Sequence, residues 1–83
     1  MKKYLCDVYL PTTGKHYDVY LPASKQIAEA TDLLASIAES LSIGSFKSTP
    51  NTILLNAETG EPLPRLSTVY DAGIRNSSKL ILV

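Results

Sequence analysis

Between Tyr4 and Leu10 the side chains alternate, with Tyr4, Cys6, Val8 and Leu10 on one side and Leu5, Asp7 and Tyr9 on the other. That period of two is the signature of a half-buried strand. Pro11-Thr12-Thr13-Gly14 reads as a turn, because proline presets φ at its start and glycine accepts a positive φ at its end. A second alternating run from Lys15 to Leu21 places Tyr17, Val19 and Leu21 on one face and His16, Asp18 and Tyr20 on the other. Two such runs joined by four turn residues predict a hairpin.

Pro22 closes the second strand because it has no N–H for a ladder, and Ser24 is placed to cap the helix that follows. From Lys25 to about Ser42 the period changes to that of an amphipathic helix. Ile27, Ala30, Leu34, Ile37, Ala38 and Leu41 share one stripe, with Leu33 at its edge, while Glu29, Asp32, Ser36 and Glu39 face away. Gly44 lies just beyond, where a C-terminal cap belongs. Residues 43–51 read as a connecting loop with Phe46 turned back onto the core. Thr52-Ile53-Leu54-Leu55 predicts a short strand, and residues 56–60 turn it toward a brief partner at Glu61 to Leu63, where Pro62 and Pro64 mark an edge. A loop over residues 66–74, with one helical turn in it, leads through residues 75–78 to an apolar final strand, Lys79-Leu80-Ile81-Leu82-Val83.

Eighty-three residues predict one domain, residues 1–83. Eight Lys and Arg balance eight Asp and Glu, which leaves no net field to attract nucleic acid or an anionic membrane. No apolar run approaches the ~20 residues of a membrane span. The lysines at the start resemble the front of a signal peptide, but Asp7 interrupts the apolar region and no cleavage site follows, so a cytoplasmic location is expected. Cys6 is the only cysteine and His16 the only histidine. A lone cysteine on an alternating strand reads as a small buried hydrophobe, and His16, close to the turn, as solvent-facing. Asp7 and Asp18 face one another across the hairpin, and with nothing to desolvate them they read as surface acids rather than an acid–base dyad. Neither a phosphate-binding glycine loop nor a metal-ligand spacing is present. We therefore expect no catalytic residues, cofactor or metal, and no enzyme.

The order of hairpin, helix, short strand pair, loop and final strand predicts an α+β fold, a β-grasp. A mixed sheet of four to five strands packs on one main helix, with a crossover through the helix leading to a strand parallel to the one at the start. The closing stretch, residues 66–74 followed by Lys79-Leu80-Ile81-Leu82-Val83, resembles the ending of ubiquitin-like proteins. With Tyr17-Asp18-Val19-Tyr20-Leu21-Pro22, Asp32-Leu33-Leu34 and the helix from Ile37 to Leu41, the chain most resembles the ubiquitin-like accessory proteins of type VII (WXG100/ESX-type) secretion in Gram-positive bacteria, the YukD/EsaB group. That resemblance implies a cytosolic protein that supports a membrane-embedded secretion machine without being conjugated. The flush ending at Val83, with no diglycine and no tail, agrees with that expectation.

Function is then expected in the folded surface. If Cys6, Val8, Tyr17, Val19, Leu80 and Leu82 point to the helix, alternation turns Leu5, Tyr9, Tyr20, Ile81 and Val83 outward. A final strand beside the first would bring Leu5 close to Ile81 and Val83, in an apolar cluster rimmed by Tyr9, Asp7 and Asp18 that has the make-up of a protein-binding patch. The expected partner is a cytosolic domain of the secretion machinery, or a second copy in a homodimer. Strand addition at the edge around Thr52 to Leu55 is a second candidate mode, guarded by Pro62 and Pro64. The alternatives are a β-grasp module of an unrelated cytosolic complex and, behind it, a carrier or modifier.

Overall fold

A computed structural model describes residues 2–42, 46–47, 49 and 51–83. Four strands and one helix follow in the order β1 (Lys3–Leu10), β2 (Lys15–Pro22), α1 (Ile27–Ser42), β3 (Leu54–Asn56) and β4 (Lys79–Leu82). They form one mixed sheet in the spatial order β2-β1-β4-β3. The hairpin has the expected register, with Tyr4 opposite Leu21 and Leu10 opposite Lys15. Gly14 turns it with φ +69° and donates its N–H to the carbonyl of Leu10 at 2.8 Å. The strand parallel to β1 is β4, whereas β3 runs antiparallel to β4. The strand directly after the helix therefore does not run beside the first one. It takes the far edge, and the last strand slots between them.

The inner face of the sheet and one side of α1 enclose the core. Tyr4, Cys6, Val8 and Leu10 of β1, Leu21 of β2, Leu54 of β3 and Leu80 and Leu82 of β4 are all buried. The helix answers with Ile27, Ala30, Thr31, Leu34, Ala35 and Ala38. Its buried stripe is rotated from the expected one. Small Ala35 and hydrogen-bonded Thr31, whose Oγ1 donates to the carbonyl of Ile27 at 2.8 Å, lie inside. Leu33 and Leu41 are exposed. The buried stripe thus mixes large Ile27 and Leu34 with the small Ala30, Ala35 and Ala38. Phe46, Leu63, Val69 and Ile74 seal the ends of the core from the loops. Gly44, the expected helix cap, lies outside the described residues.

The start of α1 also differs. Among the described residues Ser24 has no side-chain hydrogen-bond partner. Instead the N–H groups of Ile27 and Ala28 donate to the carbonyls of Ser67 and Arg65, at 2.8 and 3.0 Å. In return Val69 and Tyr70 donate to the carbonyls of Lys25 and Ala23. The first helical amides, which lack partners within any helix, are thus satisfied by a segment some forty residues away. The 66–74 stretch is a run of turns that includes the one expected helical turn, in which Ala72 donates to the carbonyl of Thr68 at 2.9 Å. Arg75 clips it shut by stacking 3.9 Å from the Tyr70 ring centre and donating to the carbonyls of Tyr70 and Ile74.

Candidate protein-binding face

The outer face of the sheet is built in rows, because residues directly paired across strands share a face. Tyr20 stands opposite Leu5. The next row is charged, running Asp18, Asp7, Lys79. The third runs His16, Tyr9, Ile81, Leu55 and, through an isolated bridge, Pro62. Beyond it Ile53 and Val83 exchange two backbone hydrogen bonds, at 2.8 and 3.0 Å, extending the β3–β4 ladder past its regular strands.

All five sequence-derived residues turn outward. Leu5, Tyr20 and Val83 are exposed, and Tyr9 and Ile81 half-buried. They do not form one cluster, however. Ile81 pairs with Tyr9, four residues along β1 from Leu5, and the carbonyl of Leu5 instead accepts from Ser77. The parallel register sets this: Asp7 pairs with Lys79, so the charged row separates Leu5 and Tyr20 from the apolar half of the face. That half gains Leu55, Ile53 and Pro62. Alternation through the predicted short strand already turned Ile53 and Leu55 opposite to buried Leu54, so the signal for them was present. Lys3, its Nζ 5.7 Å from the Tyr20 ring centre, flanks the smaller group.

His16 is held against β1. Its Nδ1 lies 3.0 Å from Asp7 Oδ1, and its ring sits 4.6 Å from the Tyr9 ring. Asp18 faces Asp7 across the hairpin, and among the described residues its side chain makes no ion pair or hydrogen bond. Cys6 lies on the opposite face of the sheet, 1% exposed, with its thiol directed to the carbonyl of Tyr4 at 3.6 Å. Burial pushes that thiol from 9.0 up to about 11. The sheet therefore separates the one thiol from the one imidazole, and they do not make a nucleophile–base pair. Among the described residues no group of three or more His, Cys, Asp and Glu is close enough to hold a metal ion, and no helix is long and apolar enough to cross a membrane.

The β3 edge is occupied. Asn56 donates to Glu61, and Leu63 donates to Leu54, so the 61–63 segment covers the place expected for strand addition. The open edge belongs to β2. Leu5 and Asp7 direct their amides toward the β4 side, at Asn76 Oδ1 and Ser78 O. In an antiparallel pair, residues directly opposite either bond each other or both turn away. Tyr20, Asp18 and His16 consequently point their N–H and C=O groups off the sheet.

One helix gripped by a mixed sheet in this order is the ubiquitin-like β-grasp. No protein-family model and no curated protein matches the chain. Among solved structures it is similar to a chain of the toluene 4-monooxygenase HD complex with the inhibitor 4-bromobenzoate, at 10% identity and TM-score 0.82 over 99% of this chain and 98% of that one. It is similar to the ubiquitin-like domain of EccD5 from Mycobacterium xenopi, at 12% identity and TM-score 0.73 over 100% and 94% of the two chains. The ubiquitin-like domain of the Mycobacterium tuberculosis type VII secretion protein EccD1 gives 18% identity and TM-score 0.69 over 100% and 99%. A chain of the MycP5-free ESX-5 inner membrane complex is matched over 21% of its own length, at 17% identity and TM-score 0.76.

Proposed function

We propose that this chain is a non-enzymatic, ubiquitin-like interaction module acting in the cytoplasm as an accessory or regulatory component of a type VII secretion machine, of the YukD/EsaB kind. The observation that carries the reading is the apolar half of the outer sheet. Tyr9, Ile81, Leu55, Pro62, Val83 and Ile53 lie together there, beside a charged row able to set orientation. Apolar centres with aromatic members and polar margins are what protein interfaces are made of. Leu5 and Tyr20, across the charged row, form a second and smaller contact. The likeness to EccD domains, and to part of an inner membrane complex of an ESX system, supports secretion machinery as the setting.

The test is capture by the purified cytosolic domain of the secretion ATPase from the same organism. Ile81→Asp places a charge at the middle of the apolar row and should weaken capture more than about tenfold, as loss of a central anchor does. Capture at wild-type strength by an Ile81→Asp protein with an unchanged melting curve would refute the assignment of this face. A second reading, a module of an unrelated cytosolic complex, is favoured by the similarity to a chain of the monooxygenase complex along nearly its whole length. Genes for oxygenase subunits beside this one would support it, and genes for WXG100-type substrates and an FtsK-like ATPase would support the first.

A further inference from the structure

The open edge of β2 carries two features that belong together. Among the described residues its outward backbone groups, at His16, Asp18 and Tyr20, have no partner strand. Asp18 stands directly opposite Asp7 in a pair whose side chains are close, and like charges so placed repel. Asp7 has His16 and, in the next strand, Lys79 beside it. Among the described residues Asp18 has no ion pair. His16, whose Nδ1 is engaged with Asp7, has no hydrogen bond at Nε2 among them.

We infer that β2 pairs antiparallel with β2 of a second copy, in the register that sets His16 of each chain opposite Asp18 of the other. Facing side chains must keep to the same side of the sheet, and bonding groups must meet bonding groups, so registers differ by two residues. Centring the two-fold axis on Asp18 would set Asp18 against its own copy, with Asp7 on either side, putting four carboxylates in one row. Centring it on Val19 sets Asp18 against Tyr20 and leaves it without a counter-charge, while His16 meets Pro22, which has no N–H to give. Centring it on Tyr17 gives each Asp18 an imidazole and each chain two full backbone hydrogen-bonded pairs. The two tyrosine rings then meet on the helix side, where Tyr17, Val19, Leu34 and Ile37 line a shallow apolar groove on each copy. The result is one continuous eight-stranded sheet with both apolar outer faces still free. This pairing is independent of the docking role proposed above, because Ile81 lies two strands from the β2 edge.

Sedimentation equilibrium of the wild-type chain up to about 1 mM, the range of weak association, should show a monomer–dimer equilibrium. His16 and Asp18 amide exchange should slow as concentration rises. Asp18→Lys should shift the association at least about tenfold toward monomer, the size seen for lost interface charge pairs, and Ile81→Asp should leave it unchanged. Oxidised Tyr17→Cys should cross-link to itself and Val19→Cys should not, with buried Cys6 silent in both. A monomer at every concentration, with fast exchange at His16 and Asp18, would overturn the inference and leave Asp18 as a guard against edge pairing. Cross-linking through Val19→Cys, or protection of those amides only when another protein is added, would overturn it equally.

Discussion

Raising the pH should destabilise this protein through a residue buried in its core. Cys6 sits in the middle of β1 on the helix side of the sheet, and burial pushes its thiol from 9.0 to about 11. The folded chain therefore keeps a proton that the unfolded chain gives up between those values. Because the folded value lies above the unfolded one, the contribution to stability is fully present below pH 9, falls through the window, and is gone once the pH exceeds 11. Two pH units correspond to about 3 kcal/mol in all, of which about 2 should be lost between about pH 8.5 and 10.5. The measurement is a difference, which cancels whatever the two chains share: urea unfolding of the wild type and of Cys6→Ala at a series of pH values. The wild type should lose stability more steeply by that amount. Parallel pH dependences for the two chains would refute the argument and mean that the thiolate is solvated in place.

Leu82→Ala, at a fully buried site of β4 between β1 and β3, should cost about 2–5 kcal/mol in urea unfolding; Leu66→Ser, at a leucine 83% exposed, should change it by no more than about 0.5 kcal/mol. Arg75→Ala should lower stability by about 1 kcal/mol in thermal melts, and Arg75→Lys should recover less than half of that, since an ammonium cannot reproduce a planar group that stacks on Tyr70 while bonding two carbonyls.

The contrast between Leu66 and Leu82 shows which parts of the fold were legible in sequence. Alternation in β1 and β2 and the change of period at α1 report burial directly, because each side chain's face follows from local geometry. The outward sense of Leu5, Tyr9, Tyr20, Ile81 and Val83 was readable for that reason. Their grouping was not. Alternation fixes the face but not the register, and the pairing of Asp7 with Lys79 arises between segments more than seventy residues apart. The same holds for the sheet edges. Pro62 and Pro64 correctly marked a guarded edge, but the open edge of β2 could be found only once β1 was known to spend its other side on β4. Leu41 misled because a 3.6-residue stripe does not say which part of it the sheet covers, whereas Leu33, read at the stripe's edge, is 41% exposed. Leu66 lies in a turn, where no period applies.

The exchange of backbone hydrogen bonds between the start of α1 and the 65–70 segment carries a consequence for synthesis. A helix whose first amides wait for carbonyls some forty positions downstream cannot be completed while that stretch is still inside the ribosome. Nor can β4, which joins β1 to β3, form before residues 79–82 emerge. This domain should accordingly fold all at once, and only when the residues through β4 are available. The hairpin and helix expressed alone, without residues 61–83, should stay largely unstructured until the missing piece is supplied in trans. The chain would then behave as a natural split protein, in which two separately made fragments regain the fold only by meeting.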